Sequence, residues 1–270
     1  MRRTVALIVA LQLCAFWPVW CWYAARVTDS MDETWSLLAL ATAVFLLWRG
    51  RPQLTDKAAP PQLLWPTLLI LLYAATYAFL PPLLRALIAV TAIGCTLCSL
   101  RFGKSFHAGA FGLLYLSLPL IPSLQFYGGY PLRVLVACAA APILRLGGFA
   151  VMREGTCLNW NGQLIWIDAP CSGIRMLWVG LYLACTLACV YELRFGETLR
   201  VLFISFLAII CGNIFRSVAL FYVEGGIVNV PPWTHDFAGV VAFAIVAAGI
   251  VASVWRVRKR EELCGAKLSM

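Results

Sequence analysis

Charged side chains are scarce in this sequence: they make up 12% of the 270 residues, whereas hydrophobic residues make up 62%. A soluble domain usually has about a quarter charged residues, so this composition leaves little room for a separate soluble domain. The apolar runs at 4–24 and 63–80 are long enough to cross a hydrocarbon core of roughly 30 Å. We therefore expect an all-α integral membrane protein in a lipid bilayer. For such a protein the net charge of +9 does not indicate nucleic-acid binding.

The hydropathy pattern predicts about eight membrane spans. They cover 4–24, 35–48, 63–80, 83–100, 107–124, 172–191, 198–221 and 236–255. The first run lacks a clear small-residue cleavage site, so we interpret it as a retained span rather than a signal peptide. Most of the 21 Lys and Arg residues lie at the two termini and in alternate loops. Because basic loops stay in the cytoplasm, we expect both termini there, with the connection 125–171 and the loop 222–235 on the outer face.

The long outer connection is predicted to contain two structured parts. Residues 131–146 are apolar and indicate a helix that lies along the interface or re-enters the membrane. A ninth full span is the alternative, but it would reverse the orientation of everything that follows. Two β-prone runs, 156–160 and 163–167, flank Asn161-Gly162. That dipeptide is typical of a tight hairpin turn, so a small β-hairpin is predicted.

Histidine is also scarce, with only His107 and His235 in the whole chain. His235 follows Pro232-Trp233-Thr234 at the predicted start of the last span, on the outer face. Imidazole is the side chain best suited to proton transfer near neutral pH. His235 is therefore a candidate acid–base group, and an interfacial histidine without a catalytic role is the alternative.

Cys171 lies in Ala169-Pro170-Cys171-Ser172-Gly173-Ile174, where the sixth predicted span begins. Free N–H groups and the helix dipole favour a thiolate there and can stabilise an oxyanion. A cysteine without a role is the alternative, since most of the other cysteines lie in apolar runs and behave as small hydrophobic residues. In an oxidising compartment Cys157 could also pair with Cys171.

Arg216 lies inside the span predicted for 198–221, one to two turns from its outer end. A charged residue inside a span costs about 2.5–3.5 kcal/mol even on the more lenient insertion scale. Such a residue usually faces protein or a water-filled cavity, although snorkelling to the headgroups is the alternative. Asn213 is one turn away on the same helical face, where it could orient the guanidinium or donate to a substrate carbonyl.

Together these segments resemble the exosortase/archaeosortase family of membrane-embedded cysteine transpeptidases. The resemblance is carried by Ala-Pro-Cys171-Ser172-Gly173-Ile174, by Asn213-x-x-Arg216, and by His235 followed by Gly239. It implies that Cys171 is the nucleophile, that Arg216 holds the carbonyl or oxyanion and that His235 moves protons. Ser172, Gly173 and Asn213 would support them. The presence of His235, where archaeal members commonly have arginine, favours the bacterial, exosortase-like branch.

The resemblance also implies a substrate class. Family members cleave membrane-anchored proteins that end in a short motif such as Pro-Glu-Pro, a transmembrane helix and a basic tail. They are thought to pass the new C-terminus to an amine or lipid acceptor, which the sequence does not identify. The implied location is the cytoplasmic membrane, with the site facing the periplasm or exterior. No cofactor, metal or nucleic acid is expected.

We therefore expect one polytopic membrane domain over 1–255, with scaffold spans in 1–124 and the catalytic part in 125–255. Residues 256–270 would form a basic cytoplasmic tail, with no further C-terminal domain of the kind that some exosortases carry. Three other functions remain open. They are a transporter or channel with an Arg216–His235 anion site, a thiol oxidoreductase and a structural membrane subunit. The transporter would be favoured by an internal two-fold repeat, and no convincing repeat is found in the sequence.

Overall fold

The computed structural model describes residues 2–29, 34–49, 60–167, 172–231 and 233–268. Over these ranges the chain is mostly helical. The helices are α1 Arg2–Ala15, α2 Trp17–Asp29, α3 Thr34–Arg49, α4 Pro60–Thr76, α5 Pro82–Phe102, α6 Ala108–Leu116, α7 Ile121–Leu146, α8 Ile174–Val190, α9 Phe195–Glu224 and α10 Thr234–Leu268. The strands are β1 Val151–Glu154, β2 Cys157–Trp160 and β3 Gln163–Trp166.

The chain divides into two compact units. One unit comprises Met1–Leu120 with Cys185–Thr198, and the other comprises Ile121–Ala184 with Leu199–Met270. The predicted division into scaffold and catalytic parts is a statement about function, and it stays a prediction.

In the first unit, the predicted span 4–24 is broken. A bend of 65° separates α1 from α2. Pro18 lies in the first turn of α2, where its missing N–H removes a donor from a continuous helix and its ring clashes with the carbonyl four residues earlier. Phe16, at the bend, is fully buried and packs edge-on against Tyr73 with ring centroids 4.8 Å apart.

The single helix predicted over 107–124 is wrong. The helix α6 has only 9 residues and ends at Leu116, and α7 starts at Ile121. Pro119 accounts for the break, because proline lacks an N–H and disfavours helical geometry in the residue before it. Ser117 marks the end of α6, with its hydroxyl donating to the Leu114 carbonyl at 2.6 Å. The separate helix predicted over 131–146 is the second half of the 26-residue α7.

In the second unit, the predicted hairpin is present as β2 and β3. Asn161 and Gly162 form its turn with φ of 53° and 84°, as a type I′ turn requires. The sequence analysis missed β1, which pairs antiparallel with β2 and gives a three-stranded sheet in the order β1-β2-β3. The sheet packs on apolar side chains of α7 and α9, which include Leu144 and Phe221.

Within the described part of the chain, four helices are long and apolar enough to cross a membrane. Their spanning segments are Pro82–Ser99, Ile121–Leu146, Phe195–Glu224 and Asp236–Lys259, and the bent α1–α2 pair would make five. Three further apolar helical segments are shorter: Thr34–Leu47, Leu64–Thr76 and Ile174–Val190. The chain is thus an α-helical membrane protein, but the predicted number of eight spans is not confirmed. The helix α10 also continues to Leu268, past the predicted end at 255.

Candidate active site

The candidate site is built from the start of α8, the second half of α9 and the start of α10, all in the second unit. Cys171 lies outside the described residues, so the structure neither supports nor contradicts the role predicted for it. His235 lies in the first turn of α10, but its side chain is also outside the description. The predicted convergence of thiol, guanidinium and imidazole therefore stays a prediction, and the site is known through the residues around them.

The start of α8 is held by Ser172, which is 1% exposed. Its hydroxyl donates to Gln125 Oε1 of α7 at 3.1 Å and accepts from the Ile174 amide at 3.4 Å. The helical hydrogen bonds begin immediately afterwards, with the Leu177 amide bonding to the Gly173 carbonyl at 2.7 Å. The residue after Cys171 is thus fixed both to its own helix and to α7.

Gly173 packs directly against Asn213 of α9. A Cβ on Gly173 would lie 2.7 Å from Asn213 Nδ2 and 2.9 Å from its Cγ, which is closer than any real Cβ contact. Gly173 also has φ of 82°, a conformation that side chains other than glycine rarely adopt. Both the lack of space and the positive φ therefore require glycine at position 173. Because glycine has no side chain, the segment just before α8 can contact Asn213, which is only 2% exposed.

Arg216 is one turn beyond Asn213 on α9, and its guanidinium packs against α10. A Cβ on Gly239 would lie 3.3 Å from Arg216 Nε and 3.7 Å from Cζ and Nη2. The Nε atom is buried and has no hydrogen-bond partner among the residues that the structure describes. The small size of Gly239 thus leaves space for the Arg216 guanidinium. The Nε–H of that guanidinium remains a donor without an acceptor among the described residues.

His235 is placed on the same side of α10 by helix geometry. It is four residues before Gly239, and residues four apart in an α-helix lie on one face. Since the Gly239 position contacts the Arg216 guanidinium, the backbone of His235 lies one turn from that contact. The helix positions of Arg216 and His235 are consistent with one shared site.

A small pocket of about 10 Å³, enough for about one water molecule, adjoins this site in the second unit. Apolar side chains of α7, α8 and α9 line most of it, and Ser172, Gly173 and Asn213 supply its polar part. The apolar residues are Leu132, Leu135, Val136, Leu177, Phe206, Ile209 and Ile210. The pocket therefore has a mainly hydrophobic lining beside Ser172, Gly173 and Asn213.

Gln125 is the site residue that the sequence analysis missed. The only available signal was an amide inside a mainly apolar run, and nothing in that run indicated its contact with Ser172, 47 residues further along. Cys157, named as an alternative partner for Cys171, is a buried free thiol in β2. No three His, Cys, Asp or Glu side chains of the described ranges are grouped so that they could hold a metal ion.

Comparison with known proteins identifies one family. The family described as transmembrane exosortase (Exosortase_EpsH) matches residues 22–252. No curated protein and no solved structure gives a match. The family match runs from α2 into α10 and includes every segment of the candidate site. This protein therefore belongs to the transmembrane exosortase family.

Proposed function

We propose that this protein is a cysteine transpeptidase that cleaves C-terminal sorting signals through an acyl-enzyme, with Cys171, Arg216 and His235 as its catalytic residues. One observation carries the proposal: Asn213 packs on Gly173, and the neighbouring Arg216 packs on Gly239. These two contacts join α9, which bears Arg216, to the segment just before α8 and to α10, which bears His235. Membership of the exosortase family supports the same chemistry.

In the first half of the reaction, the Cys171 sulfur attacks the carbonyl carbon of the scissile peptide bond. The thiol proton passes to His235, a carbon–sulfur bond forms, and the carbon–nitrogen bond breaks as His235 returns the proton to the leaving amine. Because α8 starts just after Cys171, its free N–H groups and dipole favour the thiolate. The bond from Ser172 to Gln125 supports a fixed position for the neighbouring nucleophile.

Arg216 would stabilise the negative charge that develops on the carbonyl oxygen. Its buried Nε has no partner among the described residues, and a buried donor without an acceptor is costly. An oxyanion would satisfy that donor during the reaction. The effect is stronger in a water-poor site, where charges are weakly screened. Asn213, one turn away, is placed to help orient the guanidinium or to donate to the same oxygen.

In the second half, an acceptor amine attacks the thioester carbon. The new amide bond forms, the carbon–sulfur bond breaks, and His235 carries the amine proton back to the Cys171 sulfur. A lipid or another protein could supply the amine. Limited access of water to the site would favour this transfer over hydrolysis.

The substrates would be membrane-anchored proteins that end in a short motif, a transmembrane helix and a basic tail. The side chains around Ser172 and Gly173 are mainly apolar, as expected for a site that receives a segment through the bilayer. The distribution of basic residues supports cytoplasmic termini. With that orientation the site faces the outside of the cytoplasmic membrane, where the motif of an exported protein would emerge.

The test is to co-express the protein with a candidate substrate that carries such an ending and to follow the loss of its C-terminal helix. Cys171→Ala should stop processing, because no other group in the proposed mechanism forms the acyl-enzyme. Cys211→Ala is the matched control, since Cys211 is an exposed thiol on α9. If Cys171→Ala processes substrate at the control rate, the peptidase proposal is wrong and a transporter or scaffold is favoured.

Arg216→Gln tests the oxyanion role separately. Loss of one oxyanion donor typically lowers kcat by about 10²–10³, and we expect a loss of this order with little change in substrate binding. Arg200→Gln, at an exposed position on the same helix, is the control. Equal rates for the two variants would remove Arg216 from the mechanism.

A further inference from the structure

A second cluster of polar and aromatic side chains lies in the first unit, where α4 ends and α5 begins. It consists of Tyr73 in the last turn of α4, Tyr77 in the connecting turn and Arg85 in the first turn of α5. The guanidinium carbon of Arg85 lies over the Tyr77 ring, 4.6 Å from its centroid. The Tyr77 and Tyr73 rings are 5.7 Å apart. The three side chains therefore form one continuous group, which we call the α4–α5 cluster.

Two hydrogen-bond donors of the α4–α5 cluster are buried and unsatisfied. Tyr73 is only 6% exposed. Its hydroxyl and the Nε of Arg85 have no hydrogen-bond partner in the part of the chain that the structure describes. Arg85 is close enough to Tyr73 to interact electrostatically, but the two do not bond to each other. Buried donors are nearly always satisfied in proteins, so this pair calls for an acceptor placed between them.

The charge around the α4–α5 cluster selects an anionic acceptor. The guanidinium offers only donors and carries a full positive charge, whereas the dipoles of α4, which ends here, and of α5, which begins here, oppose each other. The first turn of α5 has no acidic residue that could neutralise that charge. A phosphate group has enough oxygens to accept from the guanidinium and from the phenol at once. It therefore suits this pair of donors.

The position of the α4–α5 cluster suggests the source of that phosphate. Phe79, in the same turn, is 85% exposed, and Tyr77 is 40% exposed. An exposed tyrosine at the end of an apolar helix is typical of the membrane–water interface. This is the level at which lipid headgroups carry their phosphates.

We propose that the α4–α5 cluster is a binding site for a phosphate group, supplied by the headgroup of a membrane phospholipid. Arg85 provides the charge and a bonding Nε, Tyr73 donates its hydroxyl, and Tyr77 holds the guanidinium from the other side. This site is independent of the proposed peptidase chemistry, since it contains none of Cys171, Arg216 or His235.

The test uses the full-length protein in detergent, with binding followed by native mass spectrometry. One arm titrates phosphatidylglycerol, and the other titrates inorganic phosphate. We expect one saturable phosphatidylglycerol per chain. Tyr73→Phe, which removes only the hydroxyl, should weaken binding by roughly ten- to a hundredfold, as expected for one hydrogen bond to a charged group. Arg85→Gln should weaken it further.

Arg26→Gln is the matched control, because Arg26 is an exposed arginine in the last turn of α2. It should bind lipid like the wild type. If inorganic phosphate binds saturably and competes with phosphatidylglycerol, the phosphate site is supported. If inorganic phosphate binds but phosphatidylglycerol does not, the ligand is free phosphate and the lipid part of the proposal is wrong. The proposal is overturned if the wild type binds neither probe saturably. It is also overturned if Tyr73→Phe and Arg85→Gln bind as tightly as Arg26→Gln.

Discussion

Gly239→Ala separates the role of Arg216 from the stability of the fold. The new Cβ would lie 3.3 Å from Arg216 Nε and 3.7 Å from Cζ and Nη2. The first of these contacts is slightly too short, so the guanidinium must move by a few tenths of an ångström. The arginine side chain is flexible and can make this movement without disturbing the backbone of α9 or α10.

Two effects of Gly239→Ala on stability nearly cancel. Replacing glycine by alanine inside a helix stabilises by about 0.8–1.0 kcal/mol. Shifting an arginine away from its preferred rotamer costs about 0.5–1.5 kcal/mol. The net change in the free energy of unfolding is therefore small, and Tm should move by no more than about 2–4 °C.

The effect of Gly239→Ala on activity should be larger. A single oxyanion donor supplies about 2.7–4 kcal/mol of transition-state stabilisation. A displaced but intact guanidinium should lose about half of this, which corresponds to a rate roughly ten- to thirtyfold lower. Substrate binding should change less, because the contact matters most when the oxyanion forms.

The assay compares Gly239→Ala with Gly249→Ala. Gly249 lies on the same helix, and a Cβ there would meet nothing within 4 Å. The control therefore gains the same helix propensity without touching Arg216. Substrate processing in membranes gives the rate, and tryptophan fluorescence on heating gives Tm. Equal processing rates in the two variants would show that the position of Arg216 does not matter, and the reasoning would fail.

Three further predictions follow from the same site. Gly173→Ala should abolish processing and lower Tm, because its Cβ would collide with Asn213 at 2.7 Å and its φ of 82° disfavours alanine; a variant with wild-type Tm and rate would contradict this contact. Gln125→Ala should lower kcat more than it raises KM, since the hydrogen bond from Ser172 is lost. Gln125→Glu keeps an acceptor and should recover part of the rate. If it does not, Gln125 has no positioning role. Cys157→Ala should retain processing, whereas a thiol oxidoreductase that depends on a Cys157 pair would lose its activity.

The sequence predicts the last two long helices of the second unit well, but not α7. The predicted spans 198–221 and 236–255 lie within α9 and α10, because each is a long apolar run with no proline inside it. The Asn161-Gly162 hairpin was equally accessible, since both turn residues adopt the positive φ that this dipeptide tolerates.

The errors arise where local signals conflict. Hydropathy treats 107–124 as one apolar run, but Pro119 ends the helix inside it. Pro131 and Pro142 lie inside α7 and do not end it, although the same residue type would suggest a boundary there. The strand β1 is missed because Val151–Glu154 is a strand of only 4 residues and depends on β2 as a partner. Pairing of this kind is decided by tertiary contacts rather than by composition.

The candidate site was accessible from the sequence only in part. The spacing from Asn213 to Arg216 and from His235 to Gly239 already places each pair on one helical face. The contacts of Gly173 with Asn213, of Gly239 with Arg216 and of Ser172 with Gln125 join different helices. The periodicity of one helix does not indicate which residues of another helix it contacts. These contacts could therefore be identified only in the structure.

The most direct test of the account is to identify the covalent intermediate. Full-length protein is mixed with a substrate that carries a sorting signal, quenched in acid and digested, and the modified peptide is located by mass spectrometry. The account predicts a thioester on the peptide that contains Cys171, with the added mass of the substrate's digestion fragment that ends at the cleaved bond, and with sensitivity to hydroxylamine. Cleavage with no such adduct, or an adduct on another residue, would contradict it.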